Sequence, residues 1–149
     1  MATFLAFLHH VAAFGLVAAL TAELVLLRGE IAPQMRRLAV FDAAVGVCAG
    51  VLVVVGLLRV FYFEKGAYYY FHTWTFIAKL TLFLIVGLVS IVPTREFLSW
   101  RKAVQQGQAP SVSPDKVRSL RSIMHWELVG VVLIILMAAL MAKGVGLLL

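Results

Sequence analysis

The sequence predicts an all-α integral membrane protein, a four-helix bundle running up and down, and three observations lead to it. Hydrophobic residues fill 63% of the 149 positions, charged residues only 13%, and mean hydropathy is +1.01, far outside the range of soluble domains. Four apolar stretches each reach the roughly 20 residues that a bilayer crossing requires. The links between them are short, so consecutive helices should lie antiparallel within one domain, residues 1–149.

The first helix, about residues 4–27, has no Lys or Arg before Arg28 and no convincing small-residue cleavage site, so it reads as a retained span rather than a secretory signal. The second, about 38–61, carries Cys48, the single cysteine, inside Gly46-Val-Cys-Ala-Gly50. That small-xxx-small spacing predicts close helix approach, with the thiol in an inert packing role. Before the third helix, about 70–92, lies the aromatic segment Phe61 to His72, which suits rings at headgroup level. Gln105 to Asp115 is polar with two prolines and reads as a flexible connection. Ser113-Pro-Asp marks the start of the fourth helix, about 115–147, with Pro114 at its first position.

Positive charge sets the expected orientation. Nine Lys and Arg residues fall between helices one and two or three and four; Arg59, Lys65 and Lys143 lie at the opposite end, and Lys79 is within a span. The excess places those two loops in the cytoplasm and both termini outside the cell. The net charge of +6 therefore reports topology, and the loops are too short to supply a nucleic-acid face.

Lys79 sits in the apolar run Trp74-Thr-Phe-Ile-Ala-Lys79-Leu. A charge at membrane depth costs about 3 kcal/mol on insertion scales, so it normally faces a partner, a cavity or a cofactor. His72 precedes it by seven residues, which in one continuous helix puts both on one stripe. His9 and His10 of helix one, Arg59 of helix two and Lys143 of helix four belong to the same outer end, where Glu64 is the carboxylate. Imidazoles and cations over few acids suit an anionic ligand with an axial coordination position, such as haem. The alternative is that these histidines are interfacial groups bonded to backbone or lipid.

The His9-His10 pair early in helix one, with Trp74-Thr-Phe-Ile-Ala-Lys79-Leu in helix three, resembles the HemJ-type protoporphyrinogen oxidases and the related CopD-like membrane proteins. Over nearly its whole length, through Leu57-Leu-Arg59-Val-Phe, Ala78-Lys79-Leu and Ala139-Leu-Met-Ala-Lys-Gly144, the chain resembles a family of uncharacterised four-helix bacterial membrane proteins. These resemblances imply a multi-pass protein of the bacterial inner membrane that binds b-type haem or a porphyrin. His10 and Lys79 would be the catalytic pair and His10 the iron ligand, with His9, His72 and Arg59 in the cofactor site. The HemJ pattern's arginine-containing segment after helix one has no convincing counterpart in Ala22-Glu-Leu-Val-Leu-Leu-Arg28-Gly. Copper handling of the CopD kind would call for clustered Met and His, and the five methionines are scattered.

A second polar group lies toward the cytoplasmic side: Glu23 of helix one, Asp42 of helix two, and Glu127 of helix four with His125 beside it. One reading is an ion-pair belt with Arg28, Arg37, Arg95 and Arg121 that fixes helix register. The other is a proton relay serving redox chemistry at the outer end. With no nucleotide, flavin or Fe–S motif in the chain, an electron acceptor would be another protein, a quinone or the cofactor itself. Besides the haem protein, two classes stay open: a structural or accessory subunit without a cofactor, and a small copper- or proton-linked transporter, which at this size needs a homo-oligomer to form a pathway.

Overall fold

The computed structural model describes residues 1–63 and 65–146; Glu64 and Leu147, which the sequence reading placed in the outer loop and at the end of the fourth span, lie outside the described residues. The elements are α1 (Ala2–Leu26), a 3-10 turn (Ala32–Gln34), α2 (Met35–Leu58) running on into a π-helical segment (Arg59–Phe63), a short α3 (Ala67–Phe71), α4 (Trp74–Gln105) and α5 (Pro114–Ala142). Among the described residues four helices are long and apolar enough to cross a membrane: α1, α2 with its flanking turns, α4 and α5. They pack as two antiparallel pairs, α1 with α2 and α4 with α5, joined by contacts of α2 with α4 and of α1 with α5. One end of the bundle holds the N-terminus, the end of α5 and α3, the other the two loops around residues 27–34 and 106–113.

Helix association in lipid depends on close packing, because hydrocarbon tails are as apolar as leucine. Small residues supply the contacts. A Cβ on Gly15 of α1 would lie 3.0 Å from Cys48 Sγ of α2, and a Cβ on Gly130 of α5 would lie 2.5 Å from Val86 Cγ2 of α4. The expected close approach through Gly46 and Gly50 is not found, since a Cβ on either would meet nothing within 4 Å. Both glycines face outward. The pattern was present, and the helix rotation turned Cys48 inward in its place.

The third span differs most from expectation. Tyr70–Phe71 belongs to α3, and Thr73 is extended, with φ −119° and ψ 112°, so the chain breaks before Trp74. At the far end α4 does not stop before Pro93 but continues through it to Gln105. Proline removes one backbone hydrogen bond, a loss that membrane helices tolerate when neighbouring groups compensate. With 32 residues α4 is about 48 Å long, well over the roughly 30 Å hydrocarbon core. Its excess length buries Phe97 and Trp100 among Leu24, Leu27, Met35, Leu38, Leu120 and Met124, which closes the loop end of the bundle. α5 begins where the sequence indicated, with Ser113 Oγ accepting from the Lys116 N–H at 3.3 Å.

The tail after α5 ties down the start of α4. The Trp74 N–H donates to the Gly146 carbonyl at 2.9 Å, and Thr75 Oγ1 donates to the Val145 carbonyl at 3.0 Å, so the first backbone donor of α4, which its own helix leaves without an acceptor, is satisfied by the tail. Gly146 has φ +99° and its missing Cβ would fall 2.5 Å from Trp74 Nε1; no other residue type satisfies both conditions.

Candidate functional site

The inner polar group is assembled by all four spanning helices. α1 and α2 hold one antiparallel register, with His9 against Gly56, Gly15 against Cys48, and Glu23 beside Asp42. On the other pair, the Gly130–Val86 contact lies one turn from Glu127 and Ser90, which are also neighbours. Thr94, one turn along α4 from Ser90, donates its hydroxyl to Asp42 Oδ1 at 2.6 Å. Glu23, Asp42 and Glu127 thus sit close enough to act on one another's charge, beside the stretch of α4 that carries the buried Pro93.

Burial distinguishes these acids from ordinary boundary carboxylates. Glu23 is 2% exposed and Glu127 1%. Glu23 Oε1 and both Glu127 carboxyl oxygens are buried without a hydrogen-bond partner at bonding distance among the described residues, and Ser90 is the polar neighbour of Glu127. Among the described residues the expected ion-pair belt is not formed. Among the described residues the ion pairs are Lys116 with Glu96 at 3.0 Å and Arg118 with Asp115 at 3.9 Å. Arg28, Arg37 and Arg95 are exposed and Arg121 half-buried, in keeping with guanidinium groups that extend toward water from a helix end.

His125 does not join the cluster. Two residues along a helix turn the side chain through about 200°, so with Glu127 directed inward His125 faces out, exposed, its Nδ1 2.6 Å from the Arg121 carbonyl oxygen. Ser90 and Thr94 were missed in the sequence; the available signal was two hydroxyl residues one turn apart flanking a proline within an apolar helix.

The outer group is rearranged as well. The same 100° step that separates adjacent helical residues turns His9 inward, half-buried, its Cε1 3.6 Å from where a Cβ of Gly56 would be. His10, the expected partner of Lys79, is exposed, with Nδ1 2.6 Å from the Ala6 carbonyl oxygen. His72 is exposed on the end of α3, stacked on Tyr68 with ring centroids 4.0 Å apart and Nδ1 2.8 Å from the Tyr68 carbonyl oxygen. The break at Thr73 cancels the continuous stripe that was to join it to Lys79. Lys79 is half-buried with Nζ 5.2 Å from the Phe76 ring centroid, and Arg59 is half-buried at the start of the π-helical segment. The aromatic segment is only partly a surface belt, since Tyr70 is buried with Val60 and Phe76. Among the described residues no three His, Cys, Asp or Glu side chains come together so as to hold a metal ion.

Gly130 controls how near Glu127 comes to α4. Gly130→Ala should lower stability by about 1–3 kcal/mol through overpacking against Val86, and the double variant Gly130→Ala/Val86→Ala should recover most of it, read as the thermal unfolding midpoint in detergent. Additive losses would place the clash elsewhere.

No curated protein and no solved structure matches the chain. The family described as "Predicted membrane protein (DUF2214)" matches residues 1–146. The chain belongs to that family, a predicted integral membrane protein whose match runs through every described helix.

Proposed function

We propose that this membrane protein takes up and releases protons at the Glu23–Asp42–Glu127 cluster, as the core of a small transporter that passes protons across the membrane. One observation carries the reading: two glutamates from different spanning helices are buried together with unpartnered carboxyl oxygens. An ionised carboxylate so placed costs several kcal/mol unless a cation or a proton compensates it, and intramembrane acids commonly mark proton or ion pathways. The cluster lacks the ligand geometry for a metal ion among the described residues, which favours the proton. Thr94 orients Asp42, Ser90 stands ready to bridge to Glu127, and Pro93 leaves the Val89 carbonyl without its helical donor. The charge bias of the loops supports cytoplasmic loops and external termini, with the cluster on the cytoplasmic half.

In proteoliposomes with an internal pH-sensitive dye, the protein should dissipate an imposed pH gradient faster than protein-free vesicles. Glu127→Gln and Glu23→Gln should slow this by about tenfold or more, the order of effect expected for losing a proton-transfer group, while His125→Ala leaves it unchanged. Equal rates with and without protein would refute the reading.

A second reading is favoured by the inward turn of His9. The HemJ-type resemblance implies a b-type haem or porphyrin, and of the outer histidines on the chain His9 is the one placed to reach a ligand between helices. A bundle haem would take His9 as its iron ligand, with Arg59 and Lys79 at the same end to receive propionates, and would supply one-electron chemistry. Purified protein should then show a Soret band that shifts on reduction, is lost in His9→Ala and persists in His10→Ala. Colourless protein after expression with added haem would overturn it.

A further inference from the structure

Two open clefts lie at the loop end of the bundle, and arginines line both. One, of about 570 Å³, is bordered by Arg36 and Arg37 over Leu26, Val40 and Phe41. The other, of about 370 Å³, is formed where the two loops meet, with Arg28, Arg118 and Arg121 over Ile31, Val112 and Val117. Each therefore combines arginines with apolar side chains. Arg28, Arg36, Arg37 and Arg121 form no ion pair among the described residues, and Arg118 reaches only its exposed neighbour Asp115 at 3.9 Å. The clefts sit at the level where α1 ends and α2 begins, at the ends of two candidate membrane spans.

From this arrangement we infer that the arginine-lined clefts bind the phosphate headgroups of anionic phospholipids. Guanidinium groups present paired donors that match phosphate oxygens, and basic pockets between spanning helices on the cytoplasmic side suit anionic headgroups. The apolar lining separates a lipid from a free anion: Val40 and Phe41 on one cleft, Ile31, Val112 and Val117 on the other, offer surface that an acyl chain covers and inorganic phosphate does not. The basic ends of α1 and α5 would then be held at the boundary by lipid rather than by protein carboxylates. This site is independent of the proton reading, since none of the three clustered acids lines either cleft.

The test uses detergent-purified full-length protein, with bound lipid counted by native mass spectrometry during titration with phosphatidylglycerol, phosphatidylcholine or inorganic phosphate. Phosphatidylglycerol should bind, and Arg28→Gln/Arg121→Gln and Arg36→Gln/Arg37→Gln should each weaken it by roughly tenfold or more. Arg101→Gln/Lys102→Gln removes the same charge from the same end without touching a cleft, and should weaken it by less than about threefold. An equal loss in that control would show diffuse charge attraction and overturn the site. So would equal binding of phosphatidylcholine, or inorganic phosphate competing as well as lipid does. If a cleft variant does not fold, the three ligands on the unaltered protein still decide between lipid headgroup, free anion and no site.

Discussion

Gly130 against Val86 sets how closely α5 can lie on α4, and much of the architecture depends on that approach. One turn away the same register brings Glu127 to Ser90. At the loop end it seats Leu120 and Met124 against Phe97 and Trp100. At the other end it delivers the tail to the start of α4, where the Val145 and Gly146 carbonyls satisfy Thr75 and Trp74. In a bilayer no solvent drives helices together, so a missing side chain at the crossing point matters more than any single apolar contact.

The α1–α2 pair repeats the principle with Gly15 under Cys48, and joining the pairs places carboxylates of three helices opposite the hydroxyls of the fourth. Thr94 satisfies Asp42, but the glutamates are left with bare oxygens. A bundle selected for stability alone would fill those positions with apolar residues, because well-packed hydrophobic replacements of buried charges are often neutral or stabilising. Their presence together, two of them almost fully buried, is the physical ground for the proposal that they exchange protons.

The four spans were legible because hydrocarbon thickness and the need to satisfy every backbone group leave a long apolar sequence few choices. Glu23, Asp42 and Glu127 were legible as exceptions to that composition. Helix rotation was not: choosing His9 over His10, Cys48 over Gly46, or Glu127 over His125 depends on which face meets a neighbour, and that is fixed by tertiary packing. The break at Thr73 and the passage of α4 through Pro93 were hidden for a related reason. In each case the local preference was overridden by partners distant in sequence, the C-terminal tail for the first and the Phe97–Trp100 core for the second.

The central claim is that the clustered glutamates change protonation while embedded in the bundle. Infrared difference spectroscopy of the lipid-reconstituted protein across a pH titration tests it most directly. A carboxylic acid C=O band, sensitive to deuterium exchange, should convert to carboxylate as pH rises and be diminished in Glu127→Gln and again in Glu23→Gln. Carboxyl bands that do not change with pH in the unaltered protein, or that are the same in both variants, would contradict it.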